Sequence, residues 1–276
     1  MPTSPTSAVV TAFTSWRTNL ANAAIQADGL GQQVAGTWGG TSFSSIGAPV
    51  AAAESAVFGF DASGSLSVLS LTSTTSTSTT TENFTGSQIG SFTDPDFVLV
   101  KNSTSQGVIS NPKSLAWDYQ SFGIWETGLG TPSRTLNAMS VGAPTAGANI
   151  PTTNTASFTG KVVGSYVDAV GVGHSALANL NVTADFANRT LAFSTTGTQT
   201  ATNLTNFTPN SGLDLTGNLS YQAGTNSFTG PVNSATLSGT TTGRFYGPNA
   251  QELGGVFSLQ ASSGLETYSG AYGGKR

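Results

Sequence analysis

Ala178-Asn179-Leu180-Asn181-Val182-Thr183-Ala184-Asp185-Phe186 alternates without a fault, apolar at every even position and polar at every odd one. Successive side chains of a strand point to opposite faces, so this run reads as an antiparallel strand with one face in a core and the other in water. Asn188 and Arg189 then turn the chain into Leu191 and Phe193, which makes a hairpin. The same period of two recurs through Ala156, Phe158, Gly160, Val162, Gly164 and Tyr166, and again through Leu213, Leu215, Gly217, Leu219 and Tyr221. Glycine stands repeatedly on the inward face beside large rings. That mixture lets a sheet bend until it closes, and it predicts a filled antiparallel barrel of about eight strands.

Residues 243–259, Gly-Arg-Phe-Tyr-Gly-Pro-Asn-Ala-Gln-Glu-Leu-Gly-Gly-Val-Phe-Ser-Leu, read as two of those strands joined by a turn at Gly247-Pro248-Asn249. Pro248 fixes φ and Asn249 tolerates turn geometry. Phe245 before the turn and Leu253 and Phe257 after it are expected inside the barrel, with Tyr246, Glu252 and Gly255 completing the motif. Arg244 and Glu252 flank the turn and are expected to pair across the hairpin at the barrel rim. A short echo, Thr155-Ala156-Ser157-Phe158-Thr159-Gly160 against Thr225-Asn226-Ser227-Phe228-Thr229-Gly230, adds a second sign of related strands.

The upstream half has a different character. Residues 8–26 place Val9, Phe13, Trp16, Leu20 and Ala23 or Ala24 at three- and four-residue spacing, which predicts a short amphipathic helix docked on a sheet. Residues 57–71, 97–100, 116–125 and 136–141 read as strands between Gly, Pro, Asn and Ser clusters. Residues 72–81 are all Ser or Thr and read as a protruding hairpin. Two prolines and little periodicity between 141 and 155 mark a connecting segment, and all four tryptophans precede it. The expected organisation is therefore all-β: residues 1–150 as a helix with an antiparallel β handle, and residues 151–276 as the barrel.

The composition narrows the function classes. Only 8% of the 276 residues are charged, and the net charge of −4 with nine Lys and Arg provides no surface for displacing counterions from nucleic acid. Zero cysteines exclude disulfides, thiol nucleophiles and Cys-ligated metal sites, and 15 Phe argue for a folded chain. No window approaches the roughly 20 apolar residues of a membrane-spanning helix. The chain shows no Gly-x-Ser-x-Gly elbow beside a triad and no His-Glu-x-x-His pair, and Asp94-Pro95-Asp96 reads as a polar turn, so no enzyme is expected.

The 243–259 run, the ending Ser269-Gly270-Ala271-Tyr272-Gly273-Gly274-Lys275-Arg276 and the 178–186 strand together resemble the C-terminal β-barrel of transferrin-binding protein B and related surface lipoproteins and secreted hemophores of Gram-negative bacteria. Tyr119-Gln120-Ser121-Phe122-Gly123-Ile124-Trp125 resembles a strand of transferrin-binding-protein-like solute-binding proteins. The resemblance implies a non-catalytic extracellular or cell-surface binding protein in iron or haem acquisition. Its partners would be haem or an iron-carrying protein, and an outer-membrane receptor. With no lipobox cysteine, the expectation is a secreted or processed form.

His174, the single histidine, lies in Val170-Gly171-Val172-Gly173-His174-Ser175-Ala176, where glycines would let a flat ligand approach the backbone and imidazole would ligate haem iron. The second ligand would be a Tyr, Met139 or nothing from this chain, and the alternative is an exposed loop histidine. The stripe of Phe122 and Ile124, with Trp125 opposite, reads as core rather than ligand cage. Two further functions compete with the binding protein: a self-assembling surface protein, suggested by low charge and Ser/Thr-rich strands, and an enzyme acting on polysaccharide.

Overall fold

The computed structural model describes residues 10–17 and 19–276. Its strands are β1 (Val10–Ala12), β2 (Ala24–Trp38), β3 (Phe43–Ile46), β4 (Val50–Phe60), β5 (Leu66–Thr74), β6 (Thr79–Thr85), β7 (Ile89–Ser91), β8 (Phe97–Lys101), β9 (Ser105–Ser110), β10 (Gln120–Thr127) and β11 (Ser133–Gly142) in the first half. In the second half they are β12 (Thr155–Val167), β13 (Gly173–Asp185), β14 (Thr190–Ala201), β15 (Thr208–Pro209), β16 (Thr216–Tyr221), β17 (Ser227–Asn233), β18 (Ser238–Tyr246), β19 (Glu252–Gln260) and β20 (Thr267–Lys275). A four-residue helix, α1 (Pro112–Leu115), precedes β10.

The second half closes as expected. Strands run in the order β13-β12-β20-β19-β18-β17-β16-β14, and β14 pairs back onto β13 to give an antiparallel barrel of eight. Its interior is packed with the alternating residues of the sequence, including Phe158, Leu180, Val182, Phe193, Leu219 and Phe257. Phe245, Leu253 and Phe257 of the turn motif are all fully buried in it. Gly255 is inward-facing because a Cβ there would lie 2.5 Å from the Tyr272 hydroxyl. The left-handed backbone of the 247–250 turn falls on Gly247 and Ala250, at φ 84 and 59, rather than on Asn249.

The first half also curls. Its 11-stranded sheet runs β6-β5-β4-β2-β11-β10-β9-β8-β7, and its end strands β6 and β7 follow one another in sequence, so the barrel is nearly closed with one seam. Asn102 donates to Glu82 across that seam at 3.2 Å. The Ser/Thr run forms the β5–β6 hairpin, with Thr72 and Thr81 hydroxyls 3.0 Å apart.

The predicted N-terminal helix is not found. Ala8, Val9 and Thr18 lie outside the described residues, but residues 10–12 form β1, parallel to the start of β2, and residues 24–26 already belong to β2. Helical spacing misleads here because a turn does the same work: Phe13 and Trp16 meet at 4.4 Å between ring centroids, and Trp16 packs edge-on to Phe58 at 5.0 Å. Asn22, at φ 55, reverses the chain into β2.

The outer faces of the two sheets share a layer of Leu30, Val108, Phe122, Ile124, Val163 and Val256. Phe122 is thus core, as expected, and Trp125 is wholly buried on the opposite, inner face of β10. The segment after β11 is no free linker: Pro144 bridges Tyr246, and Thr145 donates from its backbone to Phe245 O at 2.9 Å and from its hydroxyl to Gly247 O at 2.6 Å. Tyr246 turns outward, where its hydroxyl meets Ser140 Oγ at 2.9 Å.

Candidate binding cleft

At the rim where β2, β8 and β10 begin and β4 and β9 end, the chain leaves a cavity of about 910 Å³. Its walls carry six aromatic rings, Trp16, Phe58, Phe60, Phe92, Phe97 and Trp117, delivered by four separate stretches of the chain. Concave, mostly apolar sites of this size are where proteins hold small molecules. The mouth is polar. Asn19, Ser63, Ser91 and Asn111 stand on it, and Lys113 of α1 is exposed with no ion-pair partner among the described residues.

The one carboxylate on the cleft lining, Asp118, is already satisfied, and so is Asp61 beside it. Asp118 receives Arg17 Nε at 2.7 Å and Lys275 Nζ at 3.0 Å. The Arg17 hydrogen bond outweighs burial and holds its carboxyl below the usual aspartate range. Asp61 accepts from the Ser63 hydroxyl at 2.6 Å and the Ser65 backbone at 3.0 Å, which lowers it likewise.

Glu252 fixes this rim to the second barrel. It does not pair with Arg244: in the register Arg244 faces Gly254 and Glu252 faces Tyr246. Its carboxylate instead accepts the backbone N–H groups of Asp118, at 2.7 Å, and Tyr119, at 3.0 Å. Burial pushes the carboxyl up to about 6 despite those two donors. Gln120 adds amide bonds to Leu253 O and to Gly274 O at 3.3 Å. Glu252→Ala leaves two buried N–H groups unpaired and should cost about 2 kcal/mol in urea unfolding.

His174 lies elsewhere. It is the second residue of β13, facing Tyr166 of β12, and is part-buried rather than on a loop. Its Nε2 is 3.2 Å from Asp168 Oδ2, its ring stacks at 5.6 Å on Tyr166, and the Tyr166 hydroxyl donates to Glu266 at 2.7 Å. Met139 is wholly buried inside the first barrel. His174 and Met139 are therefore not brought together, and the His174 ring lies against Tyr166 and Asp168, away from the aromatic cleft. Among the described residues, the cleft walls hold no His, Tyr, Met or Cys. Haem titration of the wild type and of His174→Ala should give superimposable absorption curves; a Soret shift lost in the variant would restore the ligand role.

Among the described residues, no group of three or more His, Cys, Asp or Glu stands where it would hold a metal ion. The cleft residues were invisible to spacing. Phe58 and Phe60 read as strand core, Trp16 as a helix stripe, and nothing in their separation shows that residues 16, 58, 92 and 117 converge.

The fold defines a β-protein of one closed and one nearly closed antiparallel barrel packed face to face. Residues 150–276 match the family of the C-lobe and N-lobe beta barrels of Tf-binding protein B. No curated protein is significantly similar to the chain. Among solved structures, transferrin-binding protein B of Haemophilus parasuis Hp5 is 12% identical, with 91% of this chain and 76% of that one covered at a TM-score of 0.45. HpuA from Kingella denitrificans, solved in complex with human haemoglobin, is 16% identical over 76% of this chain and 83% of that one, at 0.43. Transferrin-binding protein B of serogroup B Neisseria meningitidis is 17% identical; 82% of this chain covers 52% of it, at 0.43.

Proposed function

We propose that the chain is a non-catalytic binding protein of the bacterial surface or exterior, with residues 1–150 and 151–276 as its two domains, which holds an iron-carrying protein for an outer-membrane receptor. The observation that carries this reading is the match of residues 150–276 to the barrels of transferrin-binding protein B. The packing supports it: the closed barrel is filled by its own side chains, so a macromolecular partner meets only loops and outer faces. Such a barrel serves as a rigid stand for variable loops.

Protease added to intact cells that express the chain should remove it, and with it the capture of fluorescent iron-loaded transferrin or haemoglobin. A chain that survives shaving behind an intact outer membrane would contradict the surface assignment.

A further inference from the structure

The aromatic cleft has chemistry that capture of a protein partner does not use. Trp16 and Trp117 are 9% and 5% exposed and Phe58 only 2%, so the rings form a rigid wall packed from behind rather than a loose surface patch. Trp16 is held by Phe13 and by its indole N–H on Gln120 O at 2.9 Å; Trp117 is held against Phe122 at 5.6 Å. A preorganised apolar wall loses little entropy on binding an apolar body.

The mouth supplies the polar half of the ligand. Asp118 is neutralised by Arg17 and Lys275 and Asp61 is not among the cleft-lining residues, so Lys113 is the one charged side chain on the lining without an ion-pair partner among the described residues. An anionic head placed there gains an ion pair, whereas a cationic head meets Lys113 and the Arg17–Lys275 pair together. With no His, Tyr, Met or Cys among the described residues of the walls, these offer no strong ligand for a haem iron.

The geometry points to a small-molecule site for a metal-free amphipathic acid, a fatty or polycyclic carboxylic acid whose apolar body lies between Trp16, Phe58, Phe97 and Trp117 and whose carboxylate meets Lys113. This site goes beyond the capture of an iron-carrying protein and does not depend on it.

The test uses 11-(dansylamino)undecanoic acid and its methyl ester as probes on the whole chain. The acid should bind with a micromolar Kd, its dansyl emission rising and shifting blue while tryptophan emission is quenched by transfer from Trp16 and Trp117. The ester should bind at least tenfold more weakly. Lys113→Glu, a change at an exposed side chain, should weaken the acid at least tenfold and leave Tm unchanged. Ser91→Trp, which fills the mouth from the exposed edge of β7, should weaken acid and ester alike. No binding of either probe would overturn the site, and equal binding of acid and ester, untouched by Lys113→Glu, would overturn the anionic head. Iron-protein capture is read separately, so either result leaves that assignment to its own experiment.

Discussion

Tyr272→Ala should lower the unfolding free energy by about 3–5 kcal/mol, the range found when a buried aromatic ring is cut back to a methyl group. Tyr272 stands on β20 with no exposed surface, edge-on to Phe193 at 5.1 Å, at the centre of the closed barrel. Its hydroxyl is 2.9 Å from Thr241 Oγ1 and occupies the hollow that Gly255 leaves by having no Cβ. Removing the ring therefore opens a cavity against a glycine that cannot fill it, while the Thr241 hydroxyl keeps its bond to Val256 O at 2.8 Å. Tyr272→Phe keeps the ring and should lose only about 1 kcal/mol. Urea unfolding checks both, as a fall in midpoint at constant slope. An alanine variant as stable as the phenylalanine one would mean that the barrel centre is not close-packed.

Glu54→Gln should make the protein more stable than the wild type by a few kcal/mol at pH 9, with the difference vanishing toward pH 4. Glu54 points into the first barrel, 2% exposed; one carboxyl oxygen accepts from Ser73, which in turn accepts Gln33 Nε2 at 3.0 Å, and the other oxygen has no partner. Burial with so little compensation pushes the carboxyl up to about 8 from 4.5. The sign follows from proton binding. Between those values the folded state keeps the proton and the unfolded state does not, so stability falls as pH rises, by roughly 1.4 kcal/mol per unit. Below 4.5 both states are protonated and the contribution is full. Glu252, raised to about 6, and Glu126, raised by burial, have the same sign, so the contribution of Glu54 is the part of the slope that the glutamine variant loses. A neutral glutamine removes it. An unchanged slope in the variant would show that Glu54 is ionised and solvated in the fold.

The barrel was legible in the sequence because its strands obey one rule: a half-buried antiparallel strand must alternate, and residues 178–186 do so at every position. The turn at 247–250 was legible for the same local reason, although the residue that takes left-handed geometry is Ala250 rather than Asn249. The N-terminal segment was not legible because Phe13 and Trp16 can be gathered by a turn as well as by a helix, and only the pairing of β1 on β2 decides between them. Glu252 was recognised as part of a structural motif, but its partners are backbone groups 134 and 133 residues away, a separation no pattern encodes. The cleft was missed for that reason too. His174 drew attention as a chemical singleton, yet nothing in its local sequence shows that the fold sets it apart from Met139 and from the cleft.

The account stands most directly on whether the chain holds an iron-carrying protein. Purified chain immobilised on a sensor should bind iron-loaded transferrin or haemoglobin with a Kd of micromolar or tighter, with His174→Ala indistinguishable from the wild type and with no absorbance change on haem alone. Correctly folded chain that binds neither protein, or that takes free haem through His174, would contradict it.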